Sequence, residues 1–367
     1  MSEPTDIEDV NSDNVPATYW LTVSMAPQAI KRLLGVSSSK EVFALLDQYP
    51  ILGLKELPEA ITELFNSQPD PSLRELGRSR AQTLTQIQSL IRSEYTEGQV
   101  ALLKKCGILI SQEPSGNLRL NLNRAILLFQ DARNFCDNTS EDFADCLLNE
   151  GSARSQLTTL GVEPQANAET AIKLYQQARA IYKPASNGFA VSLRNEGSAR
   201  QNLAKLKINA EANLEEAIKL NQQACQILAP NDIEFARNLL DEGNAHLLLA
   251  ISEVDKQENF EKAVPLYERA REIYRPNDRE YGLCLINEAK ARIELAIDLN
   301  VDSLKNAEAV VTLCTTAYEI FDPTTEKIEV ANCLRYDADA RKSLAQHEVD
   351  AQVNLNESIT RDRKSVV

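Results

Sequence analysis

The sequence predicts an all-α solenoid of helical hairpins, and three observations carry that prediction. The chain of 367 residues is 43% hydrophobic but only 5% aromatic, and its Ala, Leu, Glu and Gln favour helix over sheet. Short blocks return at a fixed step: Gly151, Gly197, Gly243 and Ala289 stand 46 residues apart, and Ala132, Ala178, Ala224 and Ala270 keep the same step, with Ala317 following after 47. Within each copy, apolar residues recur at the spacing of one helix face and a proline closes the run. A fixed step of about 20–50 residues marks units that bury a core only against their neighbours.

From the N-terminus, residues 1–16 hold Glu3, Asp6, Glu8, Asp9 and Asp13 with neither Lys nor Arg, which predicts a disordered acidic arm. Residues 17–117 are expected to form a helical N-terminal cap, with helices over 39–52, 57–65 and 71–95 punctuated by Pro, Gly and Ser. Glu97-Gly98 with "ALLKKCG" reads as a degenerate first helix of one more repeat. The repeat array is expected over 118–361 and a short tail over 362–367.

In the array, "AIKLYQQARAIYKP" (171–184), "AIKLNQQACQILAP" (217–230) and "AVPLYERAREIYRP" (263–276) superpose without a gap. "VVTLCTTAYEIFDP" (310–323) and "AILLFQDARNFCDN" (125–138) keep most positions. Each copy reads as the second helix of a hairpin, such as 212–229, with Leu214, Ala217, Ile218, Leu220, Ala224 and Ile227 on one face. Pro184, Pro230, Pro276 and Pro323 are expected to stop these helices, and Asn187, Asp232, Asp278 and Thr325 to cap the next ones. First helices are expected over about Phe189–Leu206 and Phe235–Ile251, each followed by a polar turn.

These residues resemble the tetratricopeptide repeat (TPR) family, which places Ala twice at a seven-residue interval in the second helix and Pro at its end. Ala217, Ala224 and Pro230 match that pattern, as do Ala171, Ala178 and Pro184. The usual repeat is about 34 residues, so these units are longer. Gly197 to Ala217 is 20 residues, which places most of the excess in the first helix or the loop after it. "ALLDQYPILGLKELPEAITELF" (44–65) resembles a helical lead-in found before TPR arrays in bacterial proteins, some of which carry a caspase-like (CHAT) peptidase domain. No such domain follows in this chain.

The net charge of −15 argues against a protein that coats nucleic acid, since neutralising phosphates takes clustered Lys and Arg. The start "MSEPTDIEDVNSDN" lacks the basic and apolar run of a signal peptide, and no window reaches 18 apolar residues, so no membrane partner is expected and a cytoplasmic location is. Seven cysteines (106, 136, 146, 225, 284, 314, 333) form no CxxC pair, which fits reduced thiols. Cys146, Cys284 and Cys333 share one repeat slot with Ser192 and Asn238, a tolerant helical position rather than a nucleophile. Of the two histidines, His246 occupies the slot of Arg154, Arg200 and Arg292, and His347 lies beyond the last first helix. With no HExxH, P-loop or glycine-rich dinucleotide motif, no catalytic activity, cofactor or metal is expected.

Two sets of residues remain as candidates. "NEGSAR" (149–154 and 195–200) and its relatives "DEGNAH" (241–246), "NEAKAR" (287–292) and "YDADAR" (336–341) repeat a charged pair four residues apart. Winding the helix at about 100° per residue puts Glu196 and Arg200 inside the apolar stripe of Leu193, Gly197, Leu203 and Ala204. A pair on the packed side must be satisfied, because an unpaired buried charge costs several kcal/mol. A partly buried ladder is therefore expected of Glu150, Arg154, Glu196, Arg200, Glu242, His246, Glu288, Arg292, Asp337 and Arg341. In it, each Glu would meet the Arg of its own helix and of the next repeat, fixing the stacking register.

The second set follows from the resemblance, since TPR arrays line their concave face chiefly with first helices. By position the exposed groove residues are Ser152, Ser155, Gln156, Arg194, Ser198, Gln201, Asn202, Arg237, Asn244 and Leu248. The family's clamp for a C-terminal carboxylate uses Lys and Asn, and its Lys positions are not filled here. The expected function is a non-catalytic interaction scaffold that takes a partner's extended segment or helix in this groove. The other reading is a regulatory subunit of a bacterial effector system partnered with a caspase-like peptidase. "NLNESI" (354–359) matches "NLEEAI" (213–218), and the chain stops at "RDRKSVV". Either a short capping helix closes the array there, or the array ends uncapped and apolar surface from "CLRYDADARKSLA" is exposed at the C-terminal end, where it would serve partner docking or self-association.

Overall fold

The structure is a computed structural model that describes residues 96–112 and 118–365, with the single position Arg78. The predicted acidic arm and the helices expected over 39–52 and 57–65 lie outside the described residues, as does 71–95 apart from Arg78. Among the described residues there are twelve helices and no strand. They are α1 (Thr96–Ser111), α2 (Leu118–Arg133), α3 (Glu141–Thr159), α4 (Pro164–Ile181), α5 (Asn187–Lys205), α6 (Ala210–Ile227), α7 (Ile233–Ile251), α8 (Lys256–Arg271), α9 (Arg279–Ile297), α10 (Ser303–Ile320), α11 (Lys327–Gln346) and α12 (Ala351–Ser365). The chain divides after Val162 into two compact units. In the first, α1, α2 and α3 pack in order; in the second, each helix from α4 to α12 packs on the next, and the first helices α5, α7, α9 and α11 also touch one another.

Helix starts follow local chemistry closely. Ser140 and Ser186 cap α3 and α5, each Oγ accepting from a backbone N–H three residues on at 3.2 Å. Asp232 caps α7 by accepting from the Glu234 N–H at 3.0 Å. Asn187, the expected cap, is already helical, because Ser186 before it does the work. Asp278 stands at the cap of α9 but spends Oδ2 on the Arg275 N–H at 3.1 Å. Glu326, not Thr325, precedes α11: three residues separate Pro323 from that helix, against two after Pro184, Pro230 and Pro276.

The second helices end before their prolines rather than at them. Tyr182, Leu228 and Phe321 are extended C-cap residues two positions ahead of Pro184, Pro230 and Pro323, and all three are buried. Turning a large apolar side chain back into the core fixes the exit, and proline then forbids re-entry.

The turn between first and second helix, expected to be polar, hides an apolar clasp. Its first left-handed residue is Gly161 (φ +72°), Lys207 (φ +61°), Glu253 (φ +62°) or Glu348 (φ +63°). The next residue, Val162, Ile208, Val254 or Val349, sends its N–H five residues back to Leu157, Leu203, Leu249 or Leu344. That pairing is the Schellman closure, with its usual apolar contact between the two bonded residues. Val162 packs on Leu157, Val254 on Leu249 and Val349 on Leu344. Asn213, Asn259, Asn306 and Asn354 finish the clasp, each amide donating to the carbonyl of Ile208, Val254, Val301 or Val349 at 2.8–2.9 Å. Residues 206–209 alone join α5 to α6.

The small residue of the "NEGSAR" motif answers a close approach. A Cβ on Gly243 would stand 2.7 Å from the Tyr267 ring, and one on Gly107 in α1 would stand 2.5 Å from the Phe129 ring. Both rings are buried. Ala289 is tolerated because the corresponding residue of its partner helix is Cys314 rather than an aromatic. Asn221 takes the ring's place opposite Gly197; it is fully buried, and neither polar atom of its side chain has a partner.

At the C-terminal end the capping alternative describes the structure, since α12 packs on α11 and the residues of "CLRYDADARKSLA" are not the exposed apolar surface. Cys333, Leu334, Tyr336, Ala338, Ala340 and Leu344 are buried, α11 being covered by α10 and α12. The exposed apolar residues there are Val353, Leu355 and Ile359 on α12. Leu355 corresponds to Leu214, which in the interior is covered by Ala245 and Leu249 of the next first helix. Helix α12 runs to Ser365, beyond the expected boundary at 361.

Candidate functional site

The charged pairs of the first helices lie in the packing seam. Glu196 is 1% exposed and accepts from Arg200 Nε (3.1 Å) and Nη2 (2.7 Å), from Arg179 Nη1 (2.6 Å) and from Gln176 Nε2 (2.8 Å). Glu150 repeats this set with Arg154, Arg133 and Gln130. Glu288 pairs with Arg292 at 2.8 Å and Arg271 at 3.2 Å. Asp337 pairs with Arg341 at 3.0 Å and Arg361 at 2.9 Å. The second cation thus comes from the second helix of the preceding hairpin, not from the next repeat as expected. Asp337 is the exception: Thr315 and Tyr318 stand in the Gln and Arg slots of α10, and α12 supplies Arg361 instead.

The first-helix Arg has a second task. Arg200, Arg292 and Arg341 each turn Nη1 to the Oδ1 of Asn213, Asn306 or Asn354 at 3.1–3.4 Å. Those are the asparagines that clasp the turns. At Glu196 hydrogen bonds therefore run from α4 through Glu196 and Arg200 into the following turn, a relay that ties three consecutive elements.

One rung is broken. Glu242 is 7% exposed and accepts from Gln222 Nε2 at 2.7 Å. His246, expected as its partner, instead shares a 2.7 Å hydrogen bond with Asn259 Oδ1. In the slot of Arg179 and Arg271 stands Cys225. Burial, uncompensated by a cation, pushes the Glu242 carboxyl above the ordinary carboxylate range and pushes the His246 imidazole down, which favours the neutral forms. Burial also raises Glu288 and Asp337, but there the arginines oppose it.

The expected groove residues are largely committed to neighbouring helices. Ser198 donates to Asp241 Oδ2 at 3.0 Å, and Gln201, which is buried rather than exposed, donates to the Asp241 carbonyl at 2.8 Å. Arg194 lies 3.5 Å from Glu234. Arg237 bonds Glu234 within its own helix and lies 3.9 Å from Glu280 on the next first helix. Asn244 accepts from Tyr267 Oη at 3.1 Å and from Asn287 Nδ2 at 2.9 Å. Leu248 is half-buried against the cluster of Leu214, Ala217, Ala245 and Leu249. Asn202 and Ser155 are half-buried, Gln156 is exposed, and Ser152 bonds the Leu148 carbonyl of its own helix at 3.0 Å.

Sequence reasoning missed Asp241. It takes the slot of Asn149, Asn195 and Asn287, the letter that opens "NEGSAR", and that departure was the available signal. Burial raises its carboxyl, while Arg194 and the Ser198 hydroxyl oppose the rise.

Among the described residues no group of three His, Cys, Asp or Glu side chains could hold a metal ion, and no helix is long and apolar enough to cross a membrane. Burial pushes the thiols of Cys106, Cys225, Cys284 and Cys333 up to about 12. No protein-family model matches the chain, and no curated protein gives a significant match.

Proposed function

We propose that the chain is a non-catalytic interaction scaffold built of TPR-like hairpins, with a partner's segment lying along the face formed by successive first helices. The observation that carries this reading is the stitching of those helices. Ser198 reaches Asp241 and Asn244 reaches Asn287, each across 43 residues, so α5, α7 and α9 stand side by side as one pre-organised strip. Residues held in place by their neighbours lose little freedom on binding, which is what gives a rigid groove its affinity. Arg194, Asn202, Arg237 and Leu248, all half-buried along this strip, are the contacts we assign to the partner.

The test compares the full chain with Asn202→Glu and Leu248→Glu variants in quantitative pull-down with mass spectrometry. A partner held by the wild type and lost by both variants, with unfolding curves unchanged, supports the reading. Equal recovery by all three proteins overturns it. Recovery of a caspase-like peptidase as the strip-dependent partner would make the scaffold a regulatory subunit.

A further inference from the structure

We propose that Glu242 and the notch beside Cys225 receive the guanidinium of an arginine carried by a partner protein, in the place where other rungs of the seam hold an arginine of this chain. In the complete rungs the two carboxylate oxygens divide their work. Oε1 accepts from a second-helix glutamine, Gln130 or Gln176, and from the arginine four residues on in its own helix, Arg154 or Arg200. Oε2 takes an arginine of the preceding second helix: Arg133 lies 2.6 Å from Glu150, Arg179 2.6 Å from Glu196 and Arg271 3.2 Å from Glu288. Asp337, which faces no arginine on α10, draws Arg361 from α12 at 2.9 Å.

Glu242 keeps only the glutamine. Gln222 Nε2 donates to its Oε1 at 2.7 Å, and among the described residues no group bonds Oε2. Cys225 stands in the slot of Arg179 and Arg271, and its side chain stops at Sγ where arginine runs on to its guanidinium. His246, in the slot of Arg200, is turned to Asn259 Oδ1 at 2.7 Å. Arg269 of α8 is engaged elsewhere, its Cζ 4.8 Å from the centre of the Phe235 ring. The carboxylate is more than nine-tenths buried, and nothing but one amide opposes its desolvation. A buried anion left in that state gains strongly from a cation that reaches it.

The slot can be reached from water. Its counterparts Arg179 and Arg271 keep 21% and 28% of their side-chain surface exposed, while Cys225 is half-buried and Gln222 exposed. The geometry also selects the ligand. A planar guanidinium offers several N–H groups in a fixed fork and sheds its hydration readily, whereas an ammonium is a compact, strongly hydrated charge. The net charge of −15 draws cationic segments toward the surface. The notch lies in the seam between α6 and α7, apart from the strip of first helices, so its test does not depend on that groove.

The experiment follows the thermal midpoint of the full chain by circular dichroism, with methylguanidinium chloride added over the millimolar range. Methylammonium chloride at equal ionic strength is the contrast, and an acetylated Gly-Arg-Gly amide is compared with its Gly-Lys-Gly counterpart. A ligand that binds only the folded state raises the midpoint. Each shift is taken as the difference between wild type and Glu242→Gln, so that general effects of the solute cancel. The wild type should gain a saturable rise from methylguanidinium and from the arginine peptide, and none from methylammonium or the lysine peptide. Cys225→Arg should start from a higher midpoint and show no rise, because its own guanidinium fills the notch. If that variant does not fold, Glu242→Gln alone decides. No rise in the wild type, or an equal rise in Glu242→Gln, would overturn the site. An equal rise with methylammonium would overturn the guanidinium as its ligand, and a rise with methylguanidinium but not with the arginine peptide would overturn a partner's arginine as the occupant.

Discussion

Replacing one buried glutamate by glutamine should have opposite consequences at two equivalent rungs. Glu196→Gln removes the anion from between Arg179 and Arg200, whose side chains are 21% and 22% exposed. Stranding one partner of a buried pair costs about 3–5 kcal/mol. Because both arginines keep a fifth of their surface in water, a loss of about 3 kcal/mol is expected, at the low end of that range. Glu242→Gln strands nothing, since neither Cys225 nor His246 supplies a cation. It spares the fold a buried carboxylate, so stability at pH 7 should hold or rise by up to about 1 kcal/mol.

The sign of the pH dependence follows. The folded carboxyl of Glu242 sits above its ordinary value of 4.5, so the folded state holds its proton more tightly than the unfolded one. The stability this contributes is fully present below pH 4.5 and is lost as pH climbs through the raised folded value. Glu242→Gln should remove that part of the slope. Urea unfolding followed by circular dichroism, at pH 5 and pH 7, reads both effects from the midpoint if the slope with denaturant is unchanged. Cys225→Arg should restore the cation and raise stability by about 1.5–3 kcal/mol, as for a hydrogen bond to a charged group. Equal losses in the two glutamine variants, or no gain from Cys225→Arg, would refute the relay as the source of register energy.

Further substitutions read three separate features. Gly243→Ala drives a methyl to 2.7 Å from the immobile Tyr267 ring and should cost about 1–3 kcal/mol. Gly197→Ala, at 3.1 Å from Asn221 Oδ1, should cost less, and equal drops in thermal midpoint would contradict the close-approach account. Asn221→Leu removes two buried polar atoms without partners and should stabilise by about 1–2 kcal/mol in urea unfolding. Lys207→Gly relieves a left-handed residue at φ +61° and should gain about 1 kcal/mol, whereas Lys207→Ala should gain nothing.

What the sequence disclosed is what repeats in register. The 46-residue step located both helices of each hairpin, and the winding of one helix was enough to place Glu196 and Arg200 in the seam. The source of the second cation was hidden because it depends on which helix of a neighbouring hairpin packs there. Arg133, Arg179 and Arg271 recur at the same step, but nothing in one helix says what they touch. The turns were misjudged for another reason: Lys207, Glu253 and Glu348 adopt the conformation for which only Gly161 advertises, because the Leu–Ile or Leu–Val clasp outweighs the local penalty. The groove residues were placed by helical position alone. Whether a serine on that face waits for a ligand or bonds Asp241 turns on a neighbour 43 residues away, which no single-helix argument can supply.

The clasped turn also works as an expansion joint. Between α9 and α10 the chain carries one residue more than its counterparts, and there Val301 sends its N–H six residues back to Leu295 at 2.8 Å rather than five. Asn306 still reaches the Val301 carbonyl and Arg292 still reaches Asn306. The surplus is absorbed ahead of the asparagine, so α10 keeps its bonds to the turn and to Arg292. A chain with such joints can gain or lose a residue between the helices of a hairpin without disturbing the next unit. Engineered insertions should be accepted there more readily than in the relay that crosses between hairpins, where a single residue would rotate Glu288 or its equivalents out of reach of their arginines.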